Sequence, residues 1–222
     1  TRSSIVVHPE KDTVNTMTNH KPATLPDLKR TELFRVASRE FAAYGFAQAS
    51  LNRIIAGVSM SKSSFYHYFN DKADLYRQIL KQALLPLEKM DDTLDLDHIE
   101  AADFWPKLAA ISGDMVAELG NSSDMIDIAR MFYRSLETPE DRALTQDLMK
   151  GFTVWIAKVL DRGQTLKQVR GDLPQSLLIE LSMSLGVSVD RWMLAHWEDL
   201  DEETRQYLNA EILGIFRRIL SP

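Results

Sequence analysis

Residues 61–75 read Ser-Lys-Ser-Ser-Phe-Tyr-His-Tyr-Phe-Asn-Asp-Lys-Ala-Asp-Leu. Small polar residues begin a short helix here, and Ser61 can cap it because its hydroxyl can accept from the free amides of the first turn. Phe65 and Phe69 lie four residues apart, so they share one face and can pack against neighbouring helices. The pattern predicts a helix over 61–69 whose far end is anchored in a core and whose leading end is free for other contacts.

A shorter helix is predicted just before this one, over residues 51–57, with Ile54 and Ile55 as its apolar anchors. A tight turn at 58–60 joins the two, which makes a helix-turn-helix. In that motif the second helix enters the major groove of DNA, and its first residues contact base edges. Lys72 falls in the first turn of the following helix, where an ammonium and free amides together predict a phosphate site.

On these residues, the N-terminal part of the chain resembles the TetR family of bacterial transcriptional regulators over about residues 28–76. The resemblance rests on Gly45-Phe46, Ser50, Ile54, the unbroken run 59–69, Lys72 and Leu75. It implies a three-helix DNA-binding domain joined to a larger helical domain that binds a small molecule and dimerises. The matching positions imply DNA contacts by Ser50, Asn52, Arg53, Lys62, Ser63, Ser64, Tyr66, His67 and Lys72. Arg53 is expected at the DNA backbone, and for His67 packing or a helix cap is an open alternative.

Two residues depart from the pattern of that family. Ala49 stands where a Thr usually caps the second helix, so either Ser50 takes over the cap or the helix starts one residue later. Ser59 stands where the turn usually has Gly, which predicts a strained or slightly different turn. A non-Gly residue in a left-handed conformation costs about 1 kcal/mol, which the surrounding packing can offset.

Charge is divided unevenly along the chain. Residues 27–90 carry ten Lys and Arg against six Asp and Glu, a net charge of +4, whereas residues 91–222 carry 13 against 24, a net charge of −11. A basic N-terminal part keeps attraction to phosphate local, and an acidic body would be repelled by DNA, which favours a single docking face. Chance asymmetry is the alternative, and charge alone does not separate the two.

The rest of the chain reads as all-α, with about nine helices in total and no strand alternation or hairpin signal. A first helix is predicted from Asp27 to about Tyr44, with Gly45 at the position where a left-handed helix stop is expected. After it and the two helices above, the predicted helices cover 72–90, 105–119, 124–136, 140–162, 174–197 and 202–220. Gly and Pro mark most of the breaks, and five acids within residues 91–100 predict a linker or loop there. We expect a disordered leader over 1–26, a helix-turn-helix domain over 27–75, and a ligand-binding and dimerisation domain over 76–222.

Large apolar residues on successive helices of the body predict a cavity for an apolar or aromatic small molecule, since adaptable Met and flat aromatic side chains suit such a site. The candidates are Trp105, Met115, Met131, Phe132, Phe152 and Trp155. The alternative is that they fill an ordinary core, and the pocket is mainly what the family resemblance implies. Arg130, Tyr133 and Arg134 are interleaved among them, and whichever of these faces inward would set the polarity of the ligand.

The last two helices carry apolar stripes that predict a subunit interface. The candidates are Leu178, Leu181, Ser182, Leu185, Gly186, Val189 and Trp192 on 174–197, with Leu208, Ile212, Ile215 and Phe216 on 202–220. Two such helices from each of two subunits would form a four-helix bundle. A homodimer would also place two reading helices ~34 Å apart, on successive major-groove faces of a palindromic site. The alternative is that both stripes are buried within one chain.

Several classes of function are disfavoured. The chain has no Cys, which excludes disulfides and thiolate sites, and its five His are scattered. No catalytic motif, metal constellation or cofactor loop is recognisable. No apolar run approaches the ~20 residues of a membrane span, and we expect a cytoplasmic protein without a membrane partner.

The sequence favours a ligand-responsive repressor, not an enzyme, that binds a DNA operator as a homodimer and is released by a small effector. A helical protein–protein adaptor that keeps the helix-turn-helix as a scaffold is the rival hypothesis.

Overall fold

The computed structural model describes residues 25–222, without the side chains of residues 83–93. Residues 1–24, which hold nearly all of the predicted leader, lie outside this description. Across the described residues the chain forms nine α-helices, one short 3-10 helix and no strand, which confirms the all-α prediction. The α-helices are α1 (Asp27–Gln48), α2 (Leu51–Gly57), α3 (Lys62–Tyr68), α4 (Lys72–Leu94), α5 (Phe104–Gly120), α6 (Ser123–Ser135), α7 (Pro139–Thr165), α8 (Gln175–Ala195) and α9 (Glu202–Leu220).

Helices α1 to α3 and the start of α4 enclose a core of buried apolar side chains. Leu33 and Phe41 of α1 lie in one cluster with Ile54 of α2, Phe65 of α3 and Leu75 of α4, and each is at most 1% exposed. Helices as short as α2 and α3, with seven residues each, are not stable alone. Full burial of a large apolar side chain contributes about 1.5–3 kcal/mol, so this cluster holds the short helices in place.

Side-chain caps explain where α2 and α3 begin. The hydroxyls of Ser50 and Ser61 each accept from the backbone N–H three residues later, at 3.3 and 3.1 Å. The cap by Ser61 is confirmed, and Ser50 does take over the cap that position 49 lacks. Ser59, in the turn between the two helices, has a φ of 49°, so the predicted left-handed turn without Gly is also confirmed.

Helix α4 begins in this core and runs to Leu94, beyond the predicted end at residue 90. Leu94 is completely buried in a second apolar cluster, and its burial supports continuation of the helix through a stretch whose acids predict a loop. The linker predicted over 91–100 is therefore wrong in its first part. The chain turns only after Leu94, over residues 95–103.

The body contains two further apolar clusters. One includes Phe104 of α5, Leu160 of α7 and Leu178 of α8. The other joins Ile126 of α6 to Trp197, which lies just after α8. None of the described helices combines the length and the apolar character needed to cross a bilayer.

The N-terminal core does not stop at the predicted domain boundary. Met131 and Phe132 of α6 belong to the same apolar cluster as the helix-turn-helix. Tyr76, the first residue beyond the boundary, is buried there, and its hydroxyl donates to the Met131 carbonyl at 2.9 Å. The division into 27–75 and 76–222 stays a prediction, and the two parts share a packed interface that runs along α1 and α6.

Candidate nucleic-acid interface

The back face of α3 is fixed, and its leading end is exposed. Phe65 and Phe69 are buried, and their rings stack with centroids 5.2 Å apart. On the other faces Lys62, Ser63, Tyr66 and His67 are exposed and Ser64 is half-buried. The Tyr66 ring packs edge-on against the buried Phe65 ring, and this contact holds the Tyr66 hydroxyl in position. The exposed surface offers ammonium, hydroxyl and imidazole groups on a rigid element, which are the groups that bind phosphates and base edges.

The start of α2 packs beside α3. Ser50 uses its hydroxyl as the helix cap, and its backbone N–H donates to Glu40 Oε1 of α1 at 2.7 Å. Asn52 is exposed. Ser50 is thus occupied by structural hydrogen bonds. The Asn52 side chain is exposed and can reach a groove of bound DNA.

Arg53 is held by an acid of its own chain. Its Nε donates to the two carboxylate oxygens of Glu40 at 2.9 and 3.1 Å, and its guanidinium stacks over the Tyr44 ring at 4.6 Å. Burial raises the pKa of the Glu40 carboxyl, but hydrogen bonds from Arg53 and from the Ser50 N–H outweigh burial and hold that pKa below its usual value. The Arg53 charge is therefore balanced within the domain, and the pair ties α2 to α1.

Lys72 has a different role in the structure from the predicted phosphate contact. Its ammonium donates to the carbonyls of Phe46, Ala47 and Ala49 at 2.6, 3.3 and 2.9 Å and lies 4.6 Å from the centroid of the Phe46 ring. These bonds use all three donors of an ammonium group. Burial also lowers the pKa of Lys72. In this conformation Lys72 caps the end of α1, because the chain reversal after that helix brings free carbonyls to it.

The six residues predicted for an effector pocket are divided between two apolar clusters and one partly exposed position. Met131, Phe132 and Phe152 pack with the N-terminal core, and the Phe132 and Phe152 rings lie 6.4 Å apart. Trp105 and Trp155 belong to the second cluster, in the body. Met115 is 37% exposed. The effector pocket stays a prediction, since helical spacing shows which residues share a face but not which helix that face meets.

One cleft of the body is polar. It has a volume of about 690 Å³ and lies between the turn after α4 and the end of α7. Its lining consists of Asp95, Leu96, Asp97, Lys158, Asp161, Arg162 and Thr165, none of which was predicted as an effector contact. Among the side chains that the structure describes, no group of three or more His, Asp or Glu is arranged to hold a metal ion.

The three polar residues interleaved on α6 each have partners on other helices. Arg130 donates to the Leu194 carbonyl and to Glu198, and Tyr133 donates to Asp190. Arg134 reaches instead into the N-terminal domain, to carbonyls 91 and 92 residues earlier in the chain. Neither this role of Arg134, which was considered only as a ligand contact, nor the role of Glu40 was predicted, because no local signal identifies partners that are adjacent only in the fold.

The predicted interface residues divide into buried and open positions. Leu178 and Ser182 are 0% and 6% exposed, and the Ser182 hydroxyl donates to the Leu178 carbonyl at 2.8 Å. These two were wrongly assigned, because that side of α8 packs within the chain. Leu181, Trp192 and Ile215 are 40%, 48% and 38% exposed, and exposed apolar side chains mark an interaction site where they form a contiguous patch. The remaining candidates, Leu185, Gly186, Val189, Leu208, Ile212 and Phe216, are half-buried.

Residues 33–79 match the family described as bacterial regulatory proteins, tetR family. The HTH-type transcriptional repressor SCO4008 of Streptomyces coelicolor is 32% identical over 75 residues, which are 34% of this chain. The matched part spans only 38% of the length of that relative. The family match covers the helix-turn-helix and its surroundings.

The fold is shared over most of the chain. The transcriptional regulator FadR from Bacillus subtilis, solved in complex with stearoyl-CoA, superposes with a TM-score of 0.67 at 15% identity, over 84% of this chain and 96% of its own. The ketosteroid transcriptional regulator KstR2 of Mycobacterium tuberculosis gives 0.63 at 18% identity, over 91% and 100%. At these identities the likeness establishes the fold and no more.

Proposed function

We propose that this chain, whose residues 33–79 match the tetR family of bacterial regulatory proteins, is a ligand-responsive transcriptional repressor. In this proposal a homodimer binds a palindromic DNA operator and is released by a small apolar or aromatic effector. The observation that carries it is the exposed leading end of α3, with Lys62, Ser63 and Tyr66 presented on a helix whose back is locked into a core. Asn52, at the start of α2, extends the same surface.

The open apolar positions on α8 and α9 support a homodimer. The side chains of Leu181, Trp192 and Ile215 are exposed to water in the single chain. Contact with a partner subunit would remove them from water. Two copies related by a twofold axis bury the same patch on both subunits. The dimer would then present two α3 helices to successive major-groove faces of one operator.

An effector would act from the body. Trp155 of α7 has an indole N–H that is buried and without a hydrogen-bond partner among the described residues. Such a donor supports an effector that carries an acceptor oxygen or nitrogen on an otherwise apolar skeleton, placed beside the second cluster. The effector would release DNA by binding more tightly to a form of the dimer in which the two α3 helices are wrongly spaced, since a ligand shifts an equilibrium only by its differential affinity.

A gel-shift titration with the DNA upstream of its own gene tests the proposed function. The expected result is a complex that survives an excess of unrelated duplex at the same salt concentration. Lys62→Ala is expected to weaken that complex, whereas an exposed lysine of the body, Lys150→Ala, is not. Binding that is no tighter than to unrelated duplex would contradict the proposal and favour a protein–protein adaptor.

A further inference from the structure

Helix α1 is interrupted near its end. Gly45 has a φ of 72° and a ψ of 167°, a backbone conformation that is essentially restricted to glycine. The interruption leaves carbonyls of the preceding turn without helical partners, as at any helix end. Two carbonyls of that turn, those of Ala42 and Ala43, accept hydrogen bonds from a residue outside the domain.

Arg134 of α6 takes both of these carbonyls. One of its terminal nitrogens donates to Ala42 at 3.0 Å and to Ala43 at 2.9 Å. A Cβ at position 45 would lie 3.2 Å from Arg134 Nε, so the absence of a side chain at Gly45 makes room for the guanidinium. The cation also sits at the carboxyl end of a helix, where positive charge is favourable.

The surrounding contacts indicate that Arg134 affects the orientation of α1 relative to α6 more than the stability of the fold. Helix α1 is already fixed by completely buried residues such as Leu33 and Ala37. Further along the same interface, Arg39 of α1 pairs with Asp127 of α6 at 3.0 Å. The two polar contacts lie at different positions along α1, so together they fix the rotation of α1 relative to α6. Apolar burial stabilises the contact between the two helices.

We propose that Arg134 is a positioning residue for operator binding: by holding the end of α1, it sets the angle between the DNA-binding domain and the body. In a dimer that angle determines the separation of the two α3 helices. This inference rests on the proposed function, because only a dimeric DNA-binding protein has such a separation to control. Arg134 itself contacts no DNA in this account.

The test compares half-site spacing preferences. A duplex selected by the parent protein from a random-sequence pool is remade with one base pair inserted or removed between its half-sites, and binding is followed by fluorescence anisotropy. The parent is expected to bind the altered spacings about tenfold more weakly. Arg134→Gln is expected to bind the original spacing several-fold more weakly but to discriminate among the three duplexes by less than about threefold, because the angle is no longer fixed.

Arg130→Gln is the matched control. It removes a guanidinium from the same helix whose partners, the Leu194 carbonyl and Glu198, lie in the body, and it is expected to keep the spacing preference of the parent. Arg134→Lys, which keeps a donor for the two carbonyls, is expected to restore part of the preference. Thermal unfolding of each variant separates loss of fold from loss of preference, since a smaller folded fraction weakens binding to all three duplexes equally.

Two outcomes would overturn the inference while leaving the proposed function intact. One is an Arg134→Gln protein that is folded and shows the same spacing preference as the parent. The other is loss of preference in Arg130→Gln to the same extent as in Arg134→Gln. If the parent selects no sequence from the pool, the proposed function itself fails, and that result is distinct from both.

Discussion

Lys62 and Lys72 both carry positive charge in the N-terminal domain, but their surroundings assign them different roles. Lys62 is exposed at the leading end of α3. Lys72 is half-buried against three backbone carbonyls. The sequence shows both as lysines at expected positions, and only the fold reveals that the end of α1 comes within reach of the second one.

For Lys62→Ala we expect weaker DNA binding with a flatter dependence on salt. A lost phosphate contact changes the slope of log K against log salt by ~0.9 on duplex DNA, because fewer counterions are released. The measurement is a set of anisotropy titrations over a range of KCl concentrations, with Lys150→Ala in the body as control. An unchanged slope in the Lys62 variant would remove this residue from the DNA interface.

For Lys72→Ala we expect lower stability and an unchanged salt slope. Removing the ammonium leaves carbonyls at the end of α1 without a charged donor, which costs about 2 kcal/mol. Urea unfolding gives the free energy, and the same KCl titrations give the slope. A stable variant whose slope is flatter by ~0.9 would show that Lys72 leaves the carbonyls to bind phosphate.

Glu40 gives a prediction about pH. Burial raises the pKa of its carboxyl, but the hydrogen bonds from Arg53 and the Ser50 N–H lower it more, so the folded pKa lies below the unfolded one. Its contribution to stability is therefore complete above the unfolded pKa of about 4.3 and is lost as pH falls through the folded pKa.

Glu40→Gln should therefore be less stable than the parent at pH 7 by about 1–2 kcal/mol. The difference between the two proteins should close as the pH is lowered below about 4. Urea unfolding at a series of pH values measures it. Since all other acids are common to both proteins, a difference that stays constant through this range would show that Glu40 does not stabilise the fold through its charge.

At the scale of elements, helix positions could be predicted well, because they follow from local signals. Ser50, Ser61 and Thr138 cap α2, α3 and α7, and Pro139 opens α7 where no amide donor is needed. The end of α4 was missed, since burial of Leu94 depends on helices far along the chain. Leu178 and Ser182 were wrongly assigned to the interface for the same reason: periodicity defines a face, and packing partners decide whether it is open.

The packing of α7 against its neighbours depends on Gly163. A Cβ there would lie 2.4 Å from Val169 Cγ2 and 2.7 Å from Phe104 Cζ, whereas at Gly151, in the same helix, it would meet nothing within 4 Å. Gly163→Ala should therefore destabilise the protein by about 1–3 kcal/mol. Gly151→Ala should stabilise it by about 0.5–1 kcal/mol, because alanine favours a helix. Urea unfolding of both variants tests the contrast, and a neutral Gly163 variant would contradict the close packing.

At the scale of the whole molecule, the open apolar side chains of α8 and α9 predict the oligomeric state. Leu181→Glu places a charge in the proposed interface and should convert a dimer of about twice 25.3 kDa into a monomer. Light scattering coupled to gel filtration measures the mass. Val154, which is 57% exposed on α7, supplies the control, since Val154→Glu should remain dimeric. A parent protein that elutes as a monomer would contradict the interface.

The central claim is that two copies of the exposed end of α3 read one DNA site. Hydroxyl-radical footprinting on a duplex selected by the parent protein from a random-sequence pool tests it most directly. We expect two protected patches on one face of the duplex, related by a twofold axis and centred about one helical turn apart. A single protected patch, or a pool from which no sequence is enriched, would contradict it.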